Sequence, residues 1–339
     1  MNPVLSTSAA PPAQVGDSSW KSAGAMPRNR LIFSSLLVCG AFFWLVLVLP
    51  YAAGYGTYRR TLFDWMWSYW QDPTWQHGMM ALPFAGFLVT RQWRTLSQIP
   101  TSSSTAGFFI TLFSLTLYWA GYRGSLFYLG FISIQLLVGA VILWLCGWQR
   151  FKTVSFAWFI FGFAWPYVIL EDTLAFQLRC LMVNSTSWLL NHCGIATVRD
   201  GTRLLSAAVN GRALGQWFDL NVDAPCSGLR SLFALMMVSS LYGYFRQRGF
   251  WRRTLLFLLS VPLAILANML RIVLLIVSAI VFGQRFAVGT SDAYTSNFHL
   301  LTGIFVFLVA FGGLLLAEKV LNRCCGKETP LPLMEESKC

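Results

Sequence analysis

Cys226, Arg271 and His299 are side chains whose types together suit nucleophilic acyl transfer. A cysteine thiolate can attack a carbonyl carbon, a histidine can move the proton of the leaving or incoming group, and an arginine can stabilise the oxyanion. The three residues are separated by dozens of positions in this 339-residue chain. The fold must therefore bring them together before they can act as one site.

The stretch around Cys226 reads Asn-Val-Asp-Ala-Pro-Cys-Ser-Gly-Leu-Arg-Ser, residues 221–231, and joins a polar loop to an apolar run. Asp223 is a candidate N-cap and Pro225 suits a first helical position, so the pattern predicts that Cys226 lies in the first turn of a helix. A helix N-terminus favours the thiolate, and Arg230, four residues later on the same face, would add positive charge. The alternative is an ordinary packing cysteine.

The composition sets the surroundings of this cysteine. The chain is 56% hydrophobic and only 11% charged, which indicates a polytopic membrane protein. Its net charge of +12 comes from basic residues scattered between apolar runs, so no nucleic-acid partner is predicted. Three histidines without CxxC or HExxH spacing argue against a metal site, and no glycine-rich phosphate loop is evident. No cofactor is predicted.

Apolar runs predict an all-α integral membrane protein with about eight transmembrane helices. The predicted spans are residues 31–49, 77–90, 106–122, 124–147, 153–170, 226–245, 254–282 and 298–317. The first is longer than the apolar core of a signal peptide, so it is predicted to remain uncleaved. The predicted regions are a disordered cytoplasmic tail (1–27), N-terminal transmembrane helices (28–170), an outer-face loop or cap between spans five and six (171–225), transmembrane helices with the catalytic residues (226–320) and a cytoplasmic tail (321–339).

Basic residues orient these spans, because cytoplasmic loops of membrane proteins are enriched in Lys and Arg. With a cytoplasmic N-terminus, the inner segments hold Lys21, Arg28, Arg30, Arg91, Arg94, Arg150, Lys152, Arg246, Arg248, Arg252, Arg253, Lys319, Arg323, Lys327 and Lys338. The outer segments hold only Arg59, Arg60, Arg123, Arg179, Arg199, Arg203, Arg212 and Arg285, and an equal number of acids balances them. Both termini are therefore predicted to be cytoplasmic.

Residues 171–225 form the only long predicted loop. An amphipathic stretch, residues 173–190, precedes a strand-like region with turn residues such as Asp200-Gly201 and Asn210-Gly211. The pattern predicts a small cap with one or two hairpins. Cys180 and Cys193 lie in a compartment where a disulfide could form, but their spacing does not decide whether they pair.

The predicted topology brings the reactive residues to one depth. Cys226 and His299 begin the sixth and eighth spans at the outer surface. Arg271 lies about 26 Å along the seventh span, near the outer boundary of a hydrocarbon layer about 30 Å thick. Asn268, one turn before Arg271, and Asn297, near His299, could orient these side chains. Taken alone, Arg271 could extend its charge to lipid headgroups, and His299 could cap a helix. The equal predicted depth of Cys226, Arg271 and His299 favours a common functional site.

These residues resemble the exosortase/archaeosortase family of polytopic membrane cysteine transpeptidases. The resemblance rests on Asp-Ala-Pro-Cys226-Ser227-Gly-Leu-Arg230-Ser, on Asn268-Met-Leu-Arg271-Ile and on the isolated His299 that opens the last span, and it covers about residues 60–320. The segment Trp75-Gln-His77-Gly is similar to an N-terminal element of that family, with Gln76 in place of a serine. His77 also follows a Trp-rich interfacial stretch, which supports a structural role equally well.

The resemblance implies a function. It implies that Cys226, Arg271 and His299 are catalytic, and that the supporting or substrate-binding residues are Ser227, Arg230, Asn268, Asn297 and His77. The implied substrates are exported proteins with a C-terminal sorting signal of the PEP-CTERM kind, cleaved through a thioester at the outer face of the inner membrane, among membrane lipids. Transfer to a surface acceptor and a link with exopolysaccharide production are implied as well.

Two other functions are compatible with these residues. In a transporter or channel, Arg271 would bind an anionic substrate, but internal repeats or broken helices in both halves are then expected, and no convincing repeat is found. An intramembrane protease that hydrolyses instead of transferring would use the same catalytic residues. The sequence does not distinguish this protease from a transpeptidase, because the two differ only in the acceptor that takes up the acyl group.

Overall fold

The computed structural model describes residues 36–38, 40–53, 58–209, 211, 213–222, 228–291, 294–295 and 297–324. The first part contains α1 (Leu36–Val48, ending in a π-helical turn), β1 (Pro50–Ala53), β2 (Tyr58–Thr61), α2 (Leu62–Gln71), α3 (His77–Arg91), α4 (Trp93–Gln98), α5 (Thr105–Arg123), α6 (Phe127–Cys146) and α7 (Trp148–Phe161). It continues with α8 (Val168–His192), β3 (Thr197–Asp200), β4 (Arg203–Ser206), β5 (Asp219–Asn221), α9 (Leu229–Arg246), α10 (Phe250–Phe282), α11 (Gln284–Ala287), β6 (Gly289–Ser291), β7 (Tyr294–Thr295) and α12 (Asn297–Cys324).

Helices lie at the predicted span positions, but not all of them are long and apolar enough to cross a membrane. Within the described ranges, α6, α10 and α12 are long and apolar enough to do so, judged by length and composition, and α1 is a shorter apolar helix. The helices at the other predicted positions, α3, α5, α7 and α9, fall short in length or hydropathy. A membrane-embedded protein is thus supported, and the number of eight spans stays a prediction.

The described residues are mostly helical, which agrees with the predicted fold class. Among the residues that the structure describes, three small antiparallel sheets occur, β1–β2, β3–β4–β5 and β6–β7. The predicted hairpins of residues 171–225 are confirmed, because β4 pairs with both β3 and β5, and Asp200 pairs with Arg203 across the turn at Gly201. The strand pairs β1–β2, before α2, and β6–β7, before α12, were not predicted, because strands of two to four residues show almost no hydrophobic periodicity.

The fifth predicted span, 153–170, is interrupted, which corrects the prediction of a single helix there. Helix α7 ends at Phe161, a 3₁₀ turn covers Gly162–Ala164, and α8 begins at Val168. Pro166 has no N–H and disfavours helical backbone in the residue before it, and Trp165 is extended with ψ 136°. Trp70 Nε1 donates to the freed carbonyl of Ala164 at 2.9 Å. Consequently the predicted boundary at 170/171 falls inside α8.

A buried apolar cluster holds parts of four helices together. It joins Trp75, which precedes α3, to residue pairs on α8, α9, α10 and α12. These pairs are Ala175 and Leu178, Leu229 and Leu232, Ala264 and Ala267, and Val306 and Ala310. Burial of this cluster fixes the starts of α9 and α3 relative to α10 and α12.

The later part of α10 is covered by the small sheet of β3, β4 and β5. The helix has 33 residues, which is about 50 Å and exceeds a hydrocarbon layer about 30 Å thick. Ile272, Leu275 and Ile276 of α10 are buried against Leu204 of β4 and Leu220 of β5. The sheet is therefore anchored to the same helix that carries Arg271.

A polar cluster ties α9, α10 and α12 together at the opposite end of the helices. Glu318 of α12 is 5% exposed and accepts hydrogen bonds from the Tyr242 hydroxyl, from Arg246 Nε at 3.3 Å and from Gln247 Nε2 at 3.0 Å. Arg253 Nε, at the start of α10, donates to the carbonyl of Gln247 at 2.6 Å. Such a network restrains the helix positions, because a buried polar group that loses its partner costs free energy.

Glu318→Ala is expected to destabilise the fold by about 2 kcal/mol, because the buried Gln247 amide and the Tyr242 hydroxyl lose their acceptor. The thermal unfolding midpoint in detergent micelles, followed by tryptophan fluorescence, measures the effect. The control is Lys319→Ala, since Lys319 is exposed on the adjacent position. Equal midpoints for the two variants would show that water replaces the carboxylate without loss.

Candidate functional site

The start of α9 differs from the prediction. Its N-cap is Gly228, with φ +78°, and the first helical residue is Leu229. The described helix therefore begins later than residue 226, where the predicted span starts, and the prediction for Cys226 itself falls on residues that the structure does not describe. The left-handed backbone of Gly228, which glycine adopts without strain, sets the boundary instead of the Asp-x-Pro signal. Asp223, Pro225, Cys226 and Ser227 themselves lie outside the described residues.

Arg230 contacts a residue from the first half of the chain. Its Nη2 donates a hydrogen bond to Oε1 of Gln76 at 3.1 Å, and the contact is exposed. Gln76 is the N-cap residue of α3. The pair therefore joins the first turn of α9 to the segment Trp75-Gln76-His77 from the first half of the chain.

Asn268 is packed directly against Gly228, the N-cap residue of α9. It is 2% exposed, and a Cβ placed on Gly228 would lie 3.0 Å from its Nδ2 and 3.2 Å from its Cβ. No side chain fits at position 228 without movement of Asn268. Asn268 of α10 thus holds the start of α9, which lies two residues after Cys226 in sequence.

Arg271 and His299 are in contact. Arg271 Nη2 donates to the backbone carbonyl of His299 at 3.2 Å, and Thr302 Oγ1 donates to the same oxygen at 2.9 Å. The guanidinium lies beside Gly303, where an added Cβ would be 3.4 Å from Nη2. Both side chains are half-buried. The small Gly303 therefore gives Arg271 room to approach α12 at the level of His299.

His77 and Asn297 are the first residues of α3 and α12. His77 is the half-buried first residue of α3, and its ring stacks on Phe233 of α9 with centroids 5.7 Å apart. Trp75 stacks on the same Phe233 at 5.1 Å. Asn297 is the exposed first residue of α12. The stacking supports a structural role for His77.

Arg179 is a candidate that sequence reasoning missed, because it was counted only as a charge of the outer loop. On α8 it lies between Leu178, which packs in the cluster of Leu229, and Met182, which packs in the cluster of Ile272. Its Nε is buried and has no hydrogen-bond partner among the described residues. A helical period through Leu178 and Met182 is the signal that would have found it.

The two cysteines of the region 171–225 are separate thiols. Cys180 of α8 is half-buried and Cys193, which follows α8, is exposed. No disulfide joins them, so neither is needed to close the loop covalently.

A family model described as transmembrane exosortase (Exosortase_EpsH) matches residues 69–316, well over half of the chain. The chain belongs to the transmembrane exosortase family. The matched range contains His77, Arg230, Asn268, Arg271 and His299, and it also spans Cys226. Exosortase membership implies a membrane transpeptidase-like function on exported proteins with sorting signals.

No curated protein and no solved structure matches this exosortase chain. The roles of individual residues are therefore inferred from the geometry of this chain.

Proposed function

We propose that this exosortase is a cysteine transpeptidase that cleaves the C-terminal sorting signal of exported proteins at the outer face of the inner membrane. The observation that carries the proposal is the contact of Arg271 with His299, next to the Asn268–Gly228 packing that ends the Cys226 segment. A cysteine, an arginine and a histidine from three consecutive helical regions are the groups that acyl transfer requires.

The proposed reaction proceeds in two steps. The Cys226 thiolate attacks the carbonyl carbon of the scissile peptide bond, the C–N bond breaks, and the amine leaves with a proton supplied through His299. A nucleophile then attacks the resulting thioester, loses its proton and releases the thiolate. Arg271 stabilises the oxyanion of each tetrahedral intermediate with its guanidinium group.

The outer location is supported by the distribution of charge along the chain. Basic residues concentrate in the segments on the side of the two termini, and the segments beside Cys226, Arg271 and His299 are nearly neutral. Substrates anchored by a membrane span and a basic cytoplasmic tail would present their cleavage motif on that same outer side. The two termini of the exosortase are accordingly proposed to be cytoplasmic.

The test is co-expression of the exosortase with candidate proteins that carry C-terminal sorting tails, followed by mass spectrometry of each new C-terminus. Loss of the tail supports cleavage, and additional mass on the new terminus identifies transfer to an acceptor. A free carboxylate at that terminus identifies hydrolysis instead. Intact tails on all candidates, with the exosortase inserted in the membrane, would contradict the proposal.

One observation favours the alternative of a transporter, namely the break between α7 and α8. Interrupted helices are used by transporters to bind ions and polar substrates, and Arg271 would then bind an anion. The two functions differ in their need for Cys226. An anion flux into vesicles that is equal for the wild type and Cys226→Ala would favour the transporter.

Gly228→Ala is expected to slow processing by about 10- to 100-fold, because a displacement of about 1 Å near reacting groups has effects of this size. The added methyl group meets Asn268 at 3.0 Å and is strained at φ +78°. The rate at which sorting tails are lost on co-expression measures the effect. The control is Gly211→Ala, which has the same φ of +78° but nothing within 4 Å. Equal rates for both variants would show that the Asn268 contact is unimportant.

A further inference from the structure

A cavity of about 340 Å³ lies where α7 ends, bounded by α6, α7, α9, α10 and the start of α3. Eight of its twelve lining residues carry Trp, Phe or Tyr rings. The cavity is distinct from the Arg271–His299 contact, since neither residue lines it. Its composition indicates an apolar ligand, because few lining groups can form hydrogen bonds.

The main polar group of the wall is already engaged. Gln135 Nε2 donates to the carbonyl of Trp158 at 2.8 Å, and its Oε1 accepts from Trp165 Nε1 at 2.7 Å. Trp158 Nε1 in turn donates to the carbonyl of Gln135 at 2.7 Å. These bonds fix two indole rings and leave an apolar cavity surface. Ordered water is therefore a poor occupant, because it needs two to four polar partners.

One end of the cavity lies beside the start of α3. Trp75, His77 and Phe233 line this end, and the rings of Trp75 and His77 both stack on Phe233. Gln76 and Arg230, which are hydrogen bonded and exposed, belong to the same two segments. A molecule inside the cavity would thus have a polar, cationic group available at this end.

The other end reaches the apolar surface of the protein. Phe159 lines the cavity and is 41% exposed, and it packs edge-on against Phe257 of α10 at 5.9 Å. Leu255 and Leu258 of α10 are also exposed, by 41% and 55%. In a membrane-embedded protein such side chains face lipid. The cavity is therefore continuous with the lipid-facing surface of α7 and α10.

Size limits the occupant further. An apolar cavity of about 150 Å³ takes up a molecule as large as benzene. The observed volume of about 340 Å³ is more than twice that value, which is enough for a single flexible hydrocarbon chain.

We propose that this cavity binds one hydrocarbon chain of an outer-leaflet lipid, which enters between α7 and α10. The chain lies among the rings of Trp158, Phe159 and Phe233, and the headgroup lies towards Gln76 and Arg230. The proposal goes beyond peptide-bond transfer and does not depend on it. It assigns a lipid-binding role to His77 and its neighbours, which the proposed reaction leaves unused.

The test uses the full chain in vesicles of phosphatidylethanolamine and phosphatidylglycerol that contain a phospholipid with a photoreactive diazirine in its acyl chain. After irradiation, mass spectrometry locates the labelled peptides. We expect labelling of the walls, residues 158–163 and 233–236, to exceed labelling of the lipid-exposed stretch 108–113 of α5. Gly162→Leu should lower wall labelling at least about fivefold, because its side chain takes up the apolar space.

The structure supplies controls for this substitution. At Gly162 an added Cβ would have only ordinary contacts, with Gln135 Nε2 at 3.4 Å as the nearest atom, so the side chain can extend into the cavity. Gly86→Leu is the matched control, since Gly86 of α3 has nothing within 4 Å. Met236→Phe fills the cavity from α9 and replaces Gly162→Leu if that variant does not fold. Wall labelling equal to that of α5, or unchanged by both filling variants, would overturn the proposal.

Discussion

Replacement of Cys226 by alanine should abolish cleavage of the sorting tail, with a loss of at least about 10⁴-fold, because removal of the nucleophile leaves only binding and oxyanion stabilisation. The measurement is the fraction of substrate with an intact C-terminus after co-expression. A membrane-impermeant thiol reagent applied from the outer side should label the wild type at Cys226. An active alanine variant would show that Cys226 is not the nucleophile.

The chain contains matched controls for this substitution. Cys180 and Cys193 are free thiols in the same region between α7 and α9, half-buried and exposed respectively. Cys180→Ala and Cys193→Ala should leave cleavage within about twofold of the wild type, because surface and peripheral substitutions have small effects. Loss of cleavage in either control, with normal insertion, would show that α8 or the sheet beside it takes part in the reaction.

Arg271→Lys should lower the rate of processing by about 10²- to 10³-fold, the loss observed when one oxyanion donor is removed. The guanidinium can donate through Nη2 to the carbonyl of His299 and through other N–H groups to a substrate. A lysine ammonium at this position cannot donate hydrogen bonds to both the His299 carbonyl and the substrate in the same geometry. The initial rate of tail cleavage by purified protein in micelles measures the effect.

Arg285→Lys is the control for this second substitution, because Arg285 is an exposed residue of α11, close to the same end of α10. It should cleave at the wild-type rate. Wild-type rates of tail cleavage for both lysine variants would show that Arg271 acts only as a lipid anchor. A lower thermal unfolding midpoint for Arg271→Lys alone would instead assign its effect to folding.

The helices, and the level of Arg271 relative to His299, could be predicted from the sequence for a simple physical reason. Apolar runs mark the helices, and a helix rises by a fixed amount per residue, so the position of Arg271 along its run gives its depth. His299 opens the next run on the same side. Their contact in the structure agrees with that geometry.

Other parts of the site depend on contacts that no local pattern encodes. The start of α9 at Leu229 is set by the fit of Gly228 against Asn268, which is 40 positions away in the sequence. The pairing of Arg230 with Gln76 spans 154 positions. Capping and periodicity rules use neighbours along the chain, and so they miss both contacts.

The polar cluster around Glu318 has a consequence for His299, because both lie on α12. The two residues are separated by roughly 29 Å along a helix that rises about 1.5 Å per residue. A slip of α12 by one residue would rotate His299 by about 100° around the helix axis, away from Arg271. Bonds from Tyr242 and Gln247 to Glu318 oppose such a slip. The rotational position of His299 is therefore set partly at the opposite end of α12.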